Sequence, residues 1–130
     1  MNWKCFIVLL SLPLWFGCGF SEARIKKDKE AVGHYKLGIS YLNDNFLQKA
    51  YIEFQKAVEM DPQNKDAYYA LGHVYFQQEN YAEAAGSFQK AISIDSKYSD
   101  AHNYLGKVYE VQGNQDKAIQ EYQEALKNQQ

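Results

Sequence analysis

The chain has 130 residues, with 14 basic side chains against 16 acidic ones and a formal net charge of −2. That length suits one domain with a modest core, and the absence of a basic excess argues against nucleic acid as a partner. The histidines stand apart at His34, His73 and His102, and the chain holds no metal-type Cys/His spacing, nucleophile elbow, phosphate-cradling glycine loop or glycosylation sequon. The expectation is therefore no enzyme: no catalytic residue, metal or cofactor is assigned, and the scattered carboxylates are read as solvated surface.

The first element is a leader. In MNWKCFIVLLSLPLWFGCGF a single Lys precedes an apolar stretch from Cys5 to Phe16, and small residues follow, which is the grammar of a secretory signal peptide over residues 1–17. The stretch is shorter than the about 20 apolar residues a spanning helix needs, and Pro13 interrupts it. Trp15-Phe16-Gly17-Cys18 resembles the lipobox of bacterial lipoproteins, in which a small residue precedes a cysteine that takes lipid and becomes the mature N-terminus. Gly17 fits, whereas Trp15 and Phe16 stand where that family places leucine and a small residue.

The resemblance implies lipid on Cys18 and a protein held to a membrane of the bacterial envelope, facing the periplasm or exterior. Cys5 would leave with the leader, so no disulfide framework remains. The run Arg24-Ile25-Lys26-Lys27-Asp28-Lys29-Glu30 lies in the segment 18–30, read as a short solvated charged linker or as the first turns of the opening helix, with contact to anionic head groups as the alternative. Basic residues at this place oppose translocation slightly, which leaves open an inner-membrane signal anchor. A secreted module without lipid is the remaining alternative.

Beyond residue 30 the chain repeats itself. Leu37-Gly38, Leu71-Gly72 and Leu105-Gly106 are each 34 residues apart, followed in the same register by Tyr41, Tyr75 and Tyr109, then Ala50, Ala84 and Ala118. Phe54, Phe88 and Tyr122 come next, and Ala57, Ala91 and Ala125 close the set, which defines copies at 31–64, 65–98 and 99–130. Each copy divides into two apolar-periodic segments about a turn, at Asn43-Asp44-Asn45, Glu79-Asn80 and Gly113-Asn114, with breaks between copies at Asp61-Pro62 and around Asp95-Ser96. Each is a helical hairpin. A glycine such as Gly72 inside a helix costs about 1 kcal/mol relative to Ala, so its presence predicts that helix packing offsets the loss.

These offsets resemble the tetratricopeptide repeat, with His34, Tyr68 and His102 at its first aromatic position and Pro62 as the one closing proline of the three sites. The resemblance implies an all-α fold, three hairpins stacked into a short right-handed superhelix, or α-solenoid, whose concave wall is lined by the first helix of each repeat. Transferring the inward-facing offsets places Val32, Tyr35, Ile39 and Leu42 on that wall from the first repeat, and Asp66, Tyr69, His73, Phe76 and Gln77 from the second. Asp100, Asn103, Lys107 and Glu110 follow from the third.

Such a groove suits an extended peptide or amphipathic helix with a few large side chains, with Tyr35, Tyr69 and Phe76 as anchors; filling of gaps between repeats is the competing role for the same rings. The partner expected is a protein or peptide. The clamp that some members use for chaperone tails needs cations and asparagines where this chain has Tyr35, Ile39, Ala70, Asn103 and Lys107, and only Lys107 is of the right kind. On the last helix Ile119, Tyr122 and Leu126 recur at helical spacing, which predicts an uncovered face that docks on a partner or on a second copy, making a homo-oligomer or self-assembling structural subunit the alternative to an adaptor.

Overall fold

A computed structural model describes the backbone of residues 4–130 and the side chains of residues 21–130. The proposed leader over 1–17 and the side chain of Cys18 lie outside the described side chains. Among the described residues the chain forms α1 (Lys4–Asn43), α2 (Leu47–Met60), α3 (Lys65–Gln77), α4 (Tyr81–Ile94), α5 (Ser99–Val111) and α6 (Gln115–Lys127), with no strand. Of the two readings of residues 18–30, the helix prevails, since α1 runs without a break into the first repeat. From Ser21 to Lys29 no Gly or Pro interrupts a run rich in good helix formers, and Lys26 reaches Glu30 one turn on at 3.9 Å. Residues 21–30 are all exposed. Among the described residues no helix is long and apolar enough to cross a membrane.

The three turns close in one way. Asn45, Glu79 and Gly113 take positive φ values of 60°, 61° and 78°, the left-handed conformation that ends a helix and reverses the chain. The next amide then bonds back to the helix just completed, Phe46 N–H to the Tyr41 carbonyl at 2.8 Å, Asn80 to Tyr75 at 2.9 Å and Asn114 to Tyr109 at 2.8 Å. Two helix starts are capped by asparagine, that of α3 by Asn64 accepting from the Ala67 amide and that of α6 by Asn114 accepting from the Lys117 amide.

Within each hairpin the repeated glycine receives the repeated ring. A Cβ placed on Gly38 would stand 2.6 Å from a carbon of Phe54, one on Gly72 2.6 Å from Phe88, and one on Gly106 2.6 Å from Tyr122. Phe54 and Phe88 are fully buried, and the alanines at the remaining contacts, Ala50, Ala57, Ala84 and Ala91 among them, are also solvent-free. Small residues let the backbones approach while the rings fill the space beside them.

A second tie closes the first hairpin on itself and, separately, the third. His34 Nδ1 lies 2.6 Å from a Glu53 carboxylate oxygen and His102 Nδ1 2.7 Å from Glu121, while His102 Nε2 also faces the Ser96 carbonyl at 2.9 Å. The histidines therefore pack within their helix pairs through a polar link. The hydrogen bond from His34, helped by Lys56, holds the Glu53 carboxyl below its ordinary range. Its contribution to stability is present above the usual glutamate range and is lost as pH falls through the lower folded value. The middle hairpin has Tyr68 and Ser87 at these positions, with Lys90 over the Tyr68 ring instead.

Two glycine substitutions should move stability in opposite directions in urea unfolding. Gly72→Ala gains helix propensity but overpacks a buried ring, and we expect a net loss of about 1–2 kcal/mol. Gly86→Ala, in α4 with nothing within 4 Å of its Cβ position, should gain about 0.5–1 kcal/mol.

Candidate functional site

Stacking the hairpins sets α1, α3 and α5 side by side, and the inner residues of α3 and α5 meet in one aromatic cluster. The Tyr69 ring is its centre, 5.8 Å from Phe88, 5.7 Å from Tyr104 and 5.3 Å from Tyr98. His73 lies 4.6 Å from Tyr104 across the two helices and 6.1 Å from Tyr69 along its own. Phe76 meets Tyr104 edge-on at 6.1 Å and Tyr81 at 5.5 Å, and Tyr104 stacks on Phe88 at 5.6 Å. Offset and edge-to-face pairs of this kind add about 0.5–1.5 kcal/mol each beyond area burial, which makes the wall rigid.

Polar groups rim the cluster. The Tyr98 hydroxyl donates to Asp66 at 2.8 Å, the Lys65 ammonium lies 5.2 Å over the Tyr98 ring, and the Lys107 ammonium sits 4.3 Å over Tyr104. Burial, with smaller contributions from Tyr104 and Asp100, pushes the Tyr69 hydroxyl up to about 12. Burial and then the bond to Asp66 raise Tyr98 as well. For His73, burial first and the Lys107 charge second push the imidazole down, which favours the neutral ring, and its Nδ1 accepts from the Gln77 side-chain amide at 3.3 Å. At neutral pH the cluster is thus uncharged at its centre and cationic at one edge.

The structure places the wall residues unequally. Tyr69, His73, Phe76 and Lys107 come together, with Lys107 exposed and the other three half-buried. Asn103 is half-buried on the same helix as Lys107. Tyr35, Ile39 and Leu42 are half-buried against the core of the first two hairpins, with the Tyr35 ring 6.0 Å from Phe54, so the first repeat contributes a lining partly absorbed in packing. Tyr104 and Tyr98 were not foreseen. Tyr104 stands at the offset that holds Lys36 and Ala70 in the other copies, and a large ring at that odd position was the available signal.

On the last helix the three expected docking residues separate. Ile119 and Leu126 are exposed, but Tyr122 is not part of that face. Its ring fills the glycine notch at Gly106 and its hydroxyl donates to Glu110 at 2.8 Å, because it holds the register position of Phe54 and Phe88. Among the described residues no group of His, Cys, Asp and Glu side chains is placed to hold a metal.

With this geometry in hand, four repeat models match the chain, as tetratricopeptide repeats at residues 31–64, 53–85 and 99–129 and as a TPR repeat at residues 72–113. The chain carries tetratricopeptide repeats. A solved structure of MamA is similar at 29% identity with a TM-score of 0.75, covering 78% of this chain and 60% of the MamA chain. A second MamA structure is 30% identical with a TM-score of 0.73, covering 78% and 55%, so this chain spans little more than half the length of either. The second TPR domain of Spaghetti (RPAP3), solved with the HSP90 peptide SRMEEVD, matches in fold with a TM-score of 0.77 at 22% identity over 81% of this chain and 96% of that one. No curated protein matches. The α-solenoid expected of tetratricopeptide repeats is the fold observed, the fold of protein-interaction modules.

Lys107→Gln should raise the His73 titration midpoint toward the ordinary imidazole range without reaching it, because burial remains the larger cause of the depression. Proton NMR of the imidazole during a pH titration reads this directly, and an unmoved midpoint would show that Lys107 is too well screened to matter.

Proposed function

We propose that the chain is an adaptor held at a bacterial envelope membrane by lipid on Cys18, which captures a protein segment on the concave face of its repeats. The observation that carries the capture is the continuous wall of Tyr69, His73, Phe76 and Tyr104 with the exposed Lys107 at its edge. Rigid rings framed by polar groups are the usual anchors of peptide recognition. A neutral His73 favours large apolar or aromatic side chains in the ligand, while Lys107 favours an acceptor close to them. An acidic chaperone tail is a poor fit, because Tyr35, Ile39 and Ala70 stand where its clamp needs polar or cationic groups.

The unbroken α1 supports the anchoring half of this reading. From residue 18 to residue 31 a helix rises about 20 Å, so lipid at Cys18 would carry the groove on a stiff stalk instead of a loose tether. The alternating charges of the stalk, from Glu22 to Glu30, suit the head-group region.

The test compares the native chain with Cys18→Ala by lipid labelling and membrane fractionation in a bacterial host. Loss of both label and membrane retention in the variant is expected. Retention without label would make the apolar segment an uncleaved anchor, and a soluble chain in both forms would remove the membrane from the account. For the groove, a photo-crosslinking residue at Lys107 should trap a partner that the same residue at Ser93, on the exposed side of α4, does not.

A further inference from the structure

Inside the molecule one repeat meets the next through a surface that recurs in register. Between the first two repeats, Tyr51, Gln55 and Val58 of α2 lie against Leu71 and Tyr75 of α3, with the tyrosine rings 5.6 Å apart. Between the second and third, Ala85, Gln89 and Ile92 of α4 lie against Leu105 and Tyr109 of α5, and the Gln89 amide donates to the Tyr109 hydroxyl at 2.9 Å. Gln55 bonds within the corresponding Tyr51 and Tyr75 pair.

Among the described residues both halves of this surface recur, on α6 and on α1, with their leucine and isoleucine side chains exposed. On α6 the positions of Tyr51, Gln55 and Val58 are taken by Ile119, Gln123 and Leu126, with Ile119 52% and Leu126 63% exposed. On α1 the positions of Leu71 and Tyr75 are taken by Leu37 and Tyr41. Leu71 and Leu105 are 3% and 2% exposed, whereas Leu37 is 43% exposed. One end therefore carries the second-helix half of the repeat junction and the other carries the first-helix half, each with its hydrogen-bonding residue in place.

We propose that copies of this chain stack head to tail, with the outer face of α6 in one copy taking the outer face of α1 in the next as a fourth repeat would. Leu37 of the second copy seats between Ile119 and Leu126, and Gln123 donates to the Tyr41 hydroxyl of the second copy, as Gln89 does to Tyr109. A second copy is the occupant the register selects, because α1 presents the leucine and tyrosine that the two interior junctions use. One opposing feature is built in: the register sets Lys107 opposite Lys36 of the second copy, where the interior pair is His73 and Tyr104. Both lysines are exposed, so physiological salt screens most of that repulsion. Such a junction is heterologous and generates rings or open filaments instead of a closed two-fold dimer, and it prolongs the concave wall from copy to copy.

Sedimentation equilibrium of the full chain in density-matched detergent micelles tests this with two variants, Leu37→Lys and Leu126→Lys, after circular dichroism has confirmed that each keeps its helix content. The native chain should gain mass steadily with concentration, and each variant alone should remain a single chain. A mixture of the two should form a one-to-one dimer that grows no further, because only the α6 face of Leu37→Lys and the α1 face of Leu126→Lys remain intact. Overturning results are a native chain that stays monomeric at every concentration, variants that associate like the native chain, or a mixture without dimer. Dimers of Leu37→Lys alone would assign the α6 face to a two-fold contact and equally refute the head-to-tail junction.

Discussion

Each hairpin is held where a helix backbone meets an aromatic ring with no side chain between them. At Gly38, Gly72 and Gly106 the space that a Cβ would occupy is filled by a ring carbon of Phe54, Phe88 or Tyr122. This contact sets the separation of the two helices and fixes which faces of the hairpin remain for the next one. It also explains why α1, α3 and α5 carry glycine at these three register positions: the packing gained by close approach exceeds the propensity lost, about 1 kcal/mol per glycine. Once the hairpins are fixed, α1, α3 and α5 line up, and the separation of α3 and α5 brings His73 to Tyr104. The concave wall is a consequence of the glycine contacts.

The third hairpin uses the same contact with a different ring. Tyr122 replaces phenylalanine in the third hairpin, where the ring is half-buried instead of sealed. A hydroxyl is tolerated there because Glu110 accepts from it, and the same bond, after burial, pushes the hydroxyl up to about 12. At Phe54 and Phe88 a hydroxyl would require a buried partner, and leaving one unpaired costs about 1–3 kcal/mol. The choice of ring follows the cover at each site: Phe54 and Phe88, on helices packed against the helix that follows, are sealed, and Tyr122 is half-buried.

Much of this architecture was legible in the sequence because its signals recur every 34 residues. The glycines, the turns at Asn45, Glu79 and Gly113, and the helix order all follow from the local pattern. What register alone did not disclose was which side chains touch across helices. Tyr104 stands at an offset held by lysine and alanine in the other copies, so no repeat logic pointed to it, and yet it contacts Tyr69, His73, Phe76 and Phe88. Tyr122 was assigned to an outer face from its spacing with Ile119 and Leu126, although its alignment with Phe54 and Phe88 already placed it in the hairpin. The His34–Glu53 and His102–Glu121 links join residues 19 apart on antiparallel helices, a separation that helical periodicity does not reveal. Helical continuity through residues 21–30 rested on propensity alone and competed with the reading of a solvated linker.

The central claim is that the ring and the glycine are coupled, and a double-mutant cycle between Gly72→Ala and Phe88→Leu in urea unfolding measures that coupling. With Phe88 in place, alanine at position 72 must displace a sealed ring; with leucine there, a flexible side chain can yield. The account predicts a coupling of about 1–3 kcal/mol, with Gly72→Ala changing from a loss in the native background to neutral or stabilising in the Phe88→Leu background. An equal loss in both backgrounds would mean that the alanine is excluded by something other than the ring, and the contact described here would not be what holds the hairpins.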